Sequence, residues 1–257
     1  MNNQILELKG ISKSFSDASG SCKVLADIAF SIAENEIVCL MGPSGCGKST
    51  ILRIINGLES ADSGIVKSKG SENSVNIKST MVFQDHNLFP WLSVFDNIAY
   101  GMRLKKRYVS EEKVKEMVSS LLSLVHLEVF SGSKPYAISG GMRQRVAVAR
   151  ALAIEPDILL MDEPFNALDT FTRRELQNEV IRIREEMKTT FLIVTHNPDE
   201  AVYLADKIVI LSTSPATINE IISVPLKYPR DTSDPDYVMF VQKITSLIKA
   251  TGTNGRS

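Results

Sequence analysis

Cysteine is scarce: only Cys22, Cys39 and Cys46 occur in 257 residues. Their spacings match no metal motif, which excludes a disulfide scaffold and fits a reducing compartment. Charge of one sign is missing too. Lys plus Arg number 29 against 30 Asp plus Glu, and a net charge of −1 supplies no long-range attraction for nucleic acid or anionic lipid. A dedicated DNA binder is therefore not expected. No apolar run approaches the ~18 residues that span a bilayer, so any membrane role must come through a partner. The opening residues, MNNQILELKG, lack the basic segment and apolar stretch of a secretory signal, and the expectation is that the chain stays in the cytosol. There is no repeat of fixed period and no low-complexity tract, and the last seven residues, TGTNGRS, read as a loose tail.

What is present is average for a globular protein: 44% hydrophobic and 23% charged residues, enough for one or two domains. Short continuous apolar runs, the pattern of parallel strands covered on both faces, occur at residues 37–41 (IVCLM), 158–161 (ILLM) and 191–194 (FLIV). Further strands are expected at 5–9, 80–83 and 207–211. Helical patterns cover 48–57, 140–154, 172–186 and 198–205. Strand, loop, helix, strand is the grammar of an α/β sheet. Between about residues 85 and 153 that grammar lapses into helical periodicity without a clear strand, which predicts a helical subdomain inserted in the sheet order. Its helix over 110–126 has Ser110 as N-cap, Glu111 and Glu112 in the first turn, and Val114, Met117, Val118, Leu121 and Leu122 at helical spacing.

Residues 42–49 read GPSGCGKS, fitting G-x-x-x-x-G-K-[ST], and they lie between the IVCLM strand and a helical pattern, the context that string requires. Without side chains at Gly42, Gly45 and Gly47 the backbone can wrap a polyphosphate and aim N–H groups at its oxygens. Helix onset at Lys48 adds a favourable dipole end. Lys48 can neutralise β- and γ-phosphates, and the Ser49 hydroxyl is placed for Mg²⁺. Pro43, Ser44, Cys46 and Thr50 complete the loop. Cys46 is read as packing in the loop, with a reactive thiol, favoured by the electropositive loop beside Lys48, as the alternative.

The run ILLMDEP ends an apolar strand with Asp162 and Glu163 side by side, at the end that faces the ligand crevice of an open parallel sheet. Asp162 is expected to hold Mg²⁺ through water, and Glu163 to accept a proton from the attacking water. Two acids at an ordinary strand-to-loop turn are the plain alternative.

With these residues in place, the chain resembles the ATP-binding subunit of ABC transporters over nearly its whole length. Ser139, Gly140, Gly141 and Met142, within AISGGMRQRVAVARAL, look like the family signature LSGGQ, with Ile138 for Leu and Met142 for Gln. Gln84 in VFQD matches the Q-loop glutamine and a metal contact. His196 in VTHNPDEA matches the switch histidine. NALD, ending at Asp169, resembles the D-loop. Phe15 is the aromatic assigned to adenine, although another Phe or Tyr could stack instead. Taken alone, Gln84 also reads as a surface hydrogen-bonder and His196 as a buried core histidine. The resemblance implies a P-loop ATPase fold: a mostly parallel core sheet, an N-terminal antiparallel β portion, an inserted helical signature subdomain and a C-terminal strand/helix and tail over 213–257, in one domain spanning 1–257. It further implies that ATP and Mg²⁺ are bound, that two subunits pack head to tail, and that each signature closes on ATP held by the other.

Three features point within the family. LFPWLSVFDNIAY places Trp91, Leu92, Val94 and Phe95 where the family receives a permease's coupling helix, although each can equally be core. RQRVAVARAL and DEPFNALD are worded like bacterial importer subunits. VPLKYPRDTSDPDYVMFVQKI resembles the closing segment of the nitrate, sulfonate and taurine importer ATPases, and LFPW points the same way. No C-terminal β-rich extension of the sugar-uptake type follows. The expected partners are transmembrane permease subunits, a second ATPase subunit and, indirectly, a solute-binding protein, with the chain on the cytoplasmic face of the membrane. Cargo stays open among nitrate, sulfonates, taurine and vitamin or pyrimidine precursors, as does homodimer against heterodimer. The rival readings are a non-transport ABC ATPase, which would show a second module or a long coiled coil; a nucleotide-gated module without turnover, against which Glu163 and His196 speak; and a P-loop kinase, which has no use for ISGGM.

Overall fold

A computed structural model describes residues 4–17, 20–69, 77–85, 87–104, 110–166 and 168–253. Ala167 of the NALD run, residues 18–19, 86 and 105–109, and the last four of the tail lie outside the described residues. The first two strands are β1 (Gln4–Asp17) and β2 (Gly20–Ala33), followed by β3 (Ile37–Met41), α1 (Lys48–Ile55), β4 (Ser63–Ser68) and β5 (Ser79–Val82). Helices α2 (Val94–Leu104), α3 (Glu111–Leu124) and α4 (Gly140–Leu152) come next, with two short 3₁₀ turns before α4. The second half runs β6 (Ile158–Asp162), α5 (Thr170–Met187), β7 (Thr190–Val194), α6 (Pro198–Leu204), β8 (Lys207–Leu211), β9 (Ile218–Ser223) and α7 (Pro235–Thr253).

Six strands form one sheet in the order β5-β6-β7-β3-β8-β9, parallel except for β9, which pairs antiparallel with β8. A separate antiparallel sheet has the order β2-β1-β4. The apolar runs of the sequence are explained by what covers the parallel sheet. Its side chains alternate between faces. Cys39, Met161, Phe191 and Ile208 point into a core shared with α2 to α6, while Val38, Leu160, Leu192 and Val209 meet the three-stranded sheet and α1. Along the central strands β3, β6, β7 and β8 both faces are covered, which is why these runs are almost wholly apolar.

The expected helix over 48–57 stops at Ile55. The helix expected over 172–186 starts two residues earlier, because Asp169 caps it by accepting from the Phe171 and Thr172 N–H groups at 3.1 and 3.0 Å. Such a cap contributes about 1 kcal/mol. Ser110 caps α3 as its sequence suggests, accepting from the Lys113 N–H at 3.3 Å, although the helix ends at Leu124. The strand expected over 5–9 is part of the much longer β1, whose pairing with β2 is interrupted by register shifts. Between β5 and β6 the described residues hold helices and no strand.

Candidate active site

Parallel pairing decides which residues meet. Leu40 is level with Val194, and Val194 with Asp162, so β3, β6 and β7 end on one edge. The turns leaving that edge carry the Gly42 loop, Glu163 and His196. Gln84 follows β5, the strand beside β6, and is exposed on the same margin.

The loop after β3 is tight enough to require glycine at its end. Gly47 has φ 105°, and a Cβ there would sit 2.7 Å from Leu25 Cδ2 and 2.8 Å from Val24 Cγ1 on β2. The antiparallel sheet therefore presses on the loop from behind. Lys48 is buried, and its Nζ donates to the Gly42 and Pro43 carbonyls at 2.9 and 2.8 Å, closing the loop into a ring around an ammonium group. A cleft of about 340 Å³ lies over this ring, lined by Phe15, Val24, Ser44, Gly45, Gly47, Lys48, Ser49, Thr50 and Glu163. Phe15 is partly exposed, with Lys13 Nζ 5.2 Å from its ring centroid. Cys46 is buried and packs in the core beneath the loop, and burial pushes its thiol up despite the opposing pull of Lys48, which favours the packing reading.

Burial also pushes the Asp162 carboxyl up; the Ser49 hydroxyl bonded to it opposes that shift, and the neighbouring Glu163 charge adds to it. Ser49 and Asp162 thus offer hard oxygen donors in a place where a cation would relieve the strain of a half-buried carboxylate, the donor set that suits Mg²⁺ with water and phosphate completing its shell. Among the described residues no cluster of three His, Cys, Asp or Glu side chains is placed to hold a metal by itself.

Glu163 has φ 48°, a left-handed conformation that costs a non-glycine residue about 1–3 kcal/mol and is often found at functional sites. Its N–H is anchored to the Val194 carbonyl at 3.0 Å. One carboxylate oxygen accepts from the Asn166 side-chain amide, and the other lies 3.6 Å from His196 Nδ1. His196 has 56% of its side chain exposed, which removes the buried-core alternative. The acid that faces the cleft is therefore held by Asn166 on one side and flanked by His196 on the other. Asn166 reads in the sequence only as the first residue of the NALD run, and its bond to Glu163, three residues earlier, is not foreseen there.

The signature forms a second edge. Ser139 caps α4, its Oγ accepting from the Met142 N–H at 3.2 Å, and it is exposed. Gly141 is buried: a Cβ there would meet Thr172 Cγ2 at 2.3 Å. Met142, in the place of the family's glutamine, is half-buried and packs on the main core. None of these four lines the cleft over the Gly42 loop.

The expected permease surface needs one correction. Val94 is fully buried at the start of α2 and packs in the main core, so it cannot meet a partner. Trp91 is 68% exposed, whereas Leu92 is half-buried and Phe95 packs against the core. Phe89 lies between Trp91 and Tyr100, with ring centroids 5.6 and 4.5 Å away.

A family model described as "ABC transporter" matches residues 25–166, from β2 through the whole loop, the signature and the Asp162–Glu163 pair. The chain belongs to the ABC transporter family. The aliphatic sulfonates import ATP-binding protein SsuB of Bacillus subtilis (strain 168) is 44% identical over 93% of this ABC cassette and 92% of its own length. The nitrate import ATP-binding protein NrtD of Synechococcus elongatus is 38% identical over 92% of this chain and 89% of its own. Among solved structures, the ATP-binding cassette MJ0796, in a dimeric post-hydrolysis state bound to ADP and Pi, matches with a TM-score of 0.76 and 30% identity, covering 87% of this chain and 100% of that one. The cassette is thus an ABC-type ATPase with an importer family's sequence, and its α/β fold is that of its solved relatives.

Proposed function

We propose that this cassette powers uptake of a small anion of the sulfonate, taurine or nitrate class, hydrolysing ATP between two head-to-tail copies seated on a permease. The observation that carries the reading is that one chain presents two glycine-bearing helix starts, the Gly42 loop and the Ser139 turn, and the second lies outside the cleft over the first. The likeness to the sulfonate and nitrate import proteins supports the cargo class; the cargo itself need never touch this subunit.

In this reading the ATP polyphosphate lies against the backbone of residues 42–50, and Lys48 exchanges its two carbonyl partners for β- and γ-oxygens. Phe15 stacks on the base. Ser49 and Asp162, with Gln84 from the neighbouring strand, hold Mg²⁺, which supplies charge neutralisation at the phosphates. Glu163 accepts the proton of the attacking water. His196 meets the γ-phosphate and steadies Glu163. Ser139 and Gly140 of a second copy close over the same phosphate, with Met142 backing them and Asp169 at the seam. Loss of the γ-phosphate contact removes what favours closure, so the copies part. Residues 85–153 face the permease, through Trp91 and its aromatic neighbours. No helix among the described residues is long and apolar enough to cross a membrane, so the cytoplasmic face is reached through that partner.

The dimer is tested by light scattering of Glu163→Gln with and without ATP: two copies are expected with ATP and one without. A variant that stays monomeric with ATP, even beside its permease, sinks the reading. Cargo is tested by co-expression with the membrane proteins encoded next to it, measuring ATP-driven accumulation of labelled alkanesulfonate, taurine and nitrate.

A further inference from the structure

A buried carboxylate and a half-buried guanidinium behind the site, Glu200 and Arg173, have no part in the reaction described so far. Glu200, in the first turn of α6, is 2% exposed. One of its oxygens accepts from the Thr195 hydroxyl at 2.5 Å, and the other lies 3.6 Å from Arg173 Nε. That Nε is buried and has no hydrogen-bond partner, while the same guanidinium donates through Nη2 to the Leu168 carbonyl at 3.0 Å. Thr195 Oγ1 in turn accepts from the Asn197 N–H at 3.1 Å. His196 is the residue between them. Its turn is thus gripped on both flanks by one hydroxyl, which Glu200 holds, and Arg173 ties Glu200 to the residue just before Asp169.

A buried carboxylate is costly unless something specific requires it. Burial pushes the Glu200 carboxyl up, while Thr195, Arg173 and the nearby His196 pull it back. A hydrophobic side chain would pack here without that cost, but it could not hold Thr195.

We propose that Glu200 and Arg173 are positioning residues for His196: through Thr195 they set where the imidazole stands relative to Glu163, and they link that position to the Asp169 seam. This rests on the reading of His196 as a γ-phosphate contact. The geometry gives the pair a task that ordinary core packing lacks. The elements they join, the turn after β7 and the loop between β6 and α5, are those that carry His196 and the Glu163–Asp169 segment.

The test uses the full chain. Glu200→Gln keeps volume and an acceptor for Thr195 but removes the charge facing Arg173; Thr195→Val keeps shape and removes the hydroxyl. Each is expected to lower kcat about 10-fold while the ATP dissociation constant stays within about 2-fold, a split that general loosening does not produce. The chain has three histidines, so the imidazole ¹H–¹³C spectrum is simple to assign. The His196 cross-peak is expected to move in both variants, and those of His86 and His126 to stay. Parent-like kcat overturns the proposal, and so does a fall in kcat with an unmoved His196 signal. If Glu200→Gln does not fold, Thr195→Val decides alone. His196→Ala separates the two levels: if that variant turns over at the parent rate, the role of His196 fails whatever Glu200 does.

Discussion

The two edges proposed to read phosphate begin alike, as glycines at a helix start, and differ in what surrounds them. The Gly42 loop is concave, carries its own cation in Lys48, and lies under a cleft backed by β2. The Ser139 edge stands at the exposed start of α4, outside the cleft over the Gly42 loop. Its nearest cation, Arg143, is turned back onto the Ile138 carbonyl at 3.1 Å. An edge with charge and walls can hold a polyphosphate unaided. An edge with only a hydroxyl and a helix dipole can complete a site but not hold one, because a helix terminus contributes only about 0.3–1 kcal/mol when exposed. In the proposed reading, this difference lets binding and closure be separate events.

The largest effect that sharpens this contrast is at the acid between the edges. Glu163→Gln is expected to lower steady-state turnover by about 10²-fold or more while leaving ATP affinity unchanged, since it removes the base and no phosphate contact. Phosphate release and equilibrium binding measured on the same preparation check this; turnover at the parent rate assigns the base elsewhere. Next in size is the contrast itself. Lys48→Ala is expected to weaken ATP binding by the isolated subunit roughly 10- to 100-fold, the loss of charge-assisted hydrogen bonds. Ser139→Ala is expected to leave that monomer affinity within about 2-fold and to lower turnover. Titration with a fluorescent ATP analogue distinguishes them. Equal losses from both changes break the comparison.

What the sequence made legible follows the same division. The Gly42 loop could be read because its chemistry demands neighbouring residues in a fixed order, and β3, β6, β7 and β8 because a strand covered on both faces has to be apolar throughout. The β1–β2 hairpin was less legible. Its outer face is partly exposed and its register shifts more than once, so simple alternation is lost. Val94 was misplaced because an apolar residue at a helix start looks the same facing a partner or the core; only the packing of α2 decides. Arg173 on Glu200 and Thr172 on Gly141 were beyond reach, since packing brings together residues that no local motif relates.

The smallest expected effect tests whether the packing behind the Ser139 edge sets its geometry. Gly141 abuts Thr172, whose own N–H is held by Asp169, so the signature helix and the Asp169 turn share one contact. In Gly141→Ala the new methyl would stand 2.3 Å from Thr172 Cγ2, and either the helix start or the Asp169 turn must move. Overpacking of this kind costs about 1–3 kcal/mol. Turnover is expected to fall about 10-fold with ATP affinity of the monomer unchanged, because the Gly42 loop is untouched. Thr172→Ser removes the obstructing methyl while keeping the hydroxyl, so the double variant is expected to recover most of the lost turnover and of the lost melting temperature. Recovery of stability without turnover means that the contact holds the fold and leaves the geometry of the second edge to other residues; recovery of both means that the two seam-facing turns are set as one unit by the absence of a single side chain.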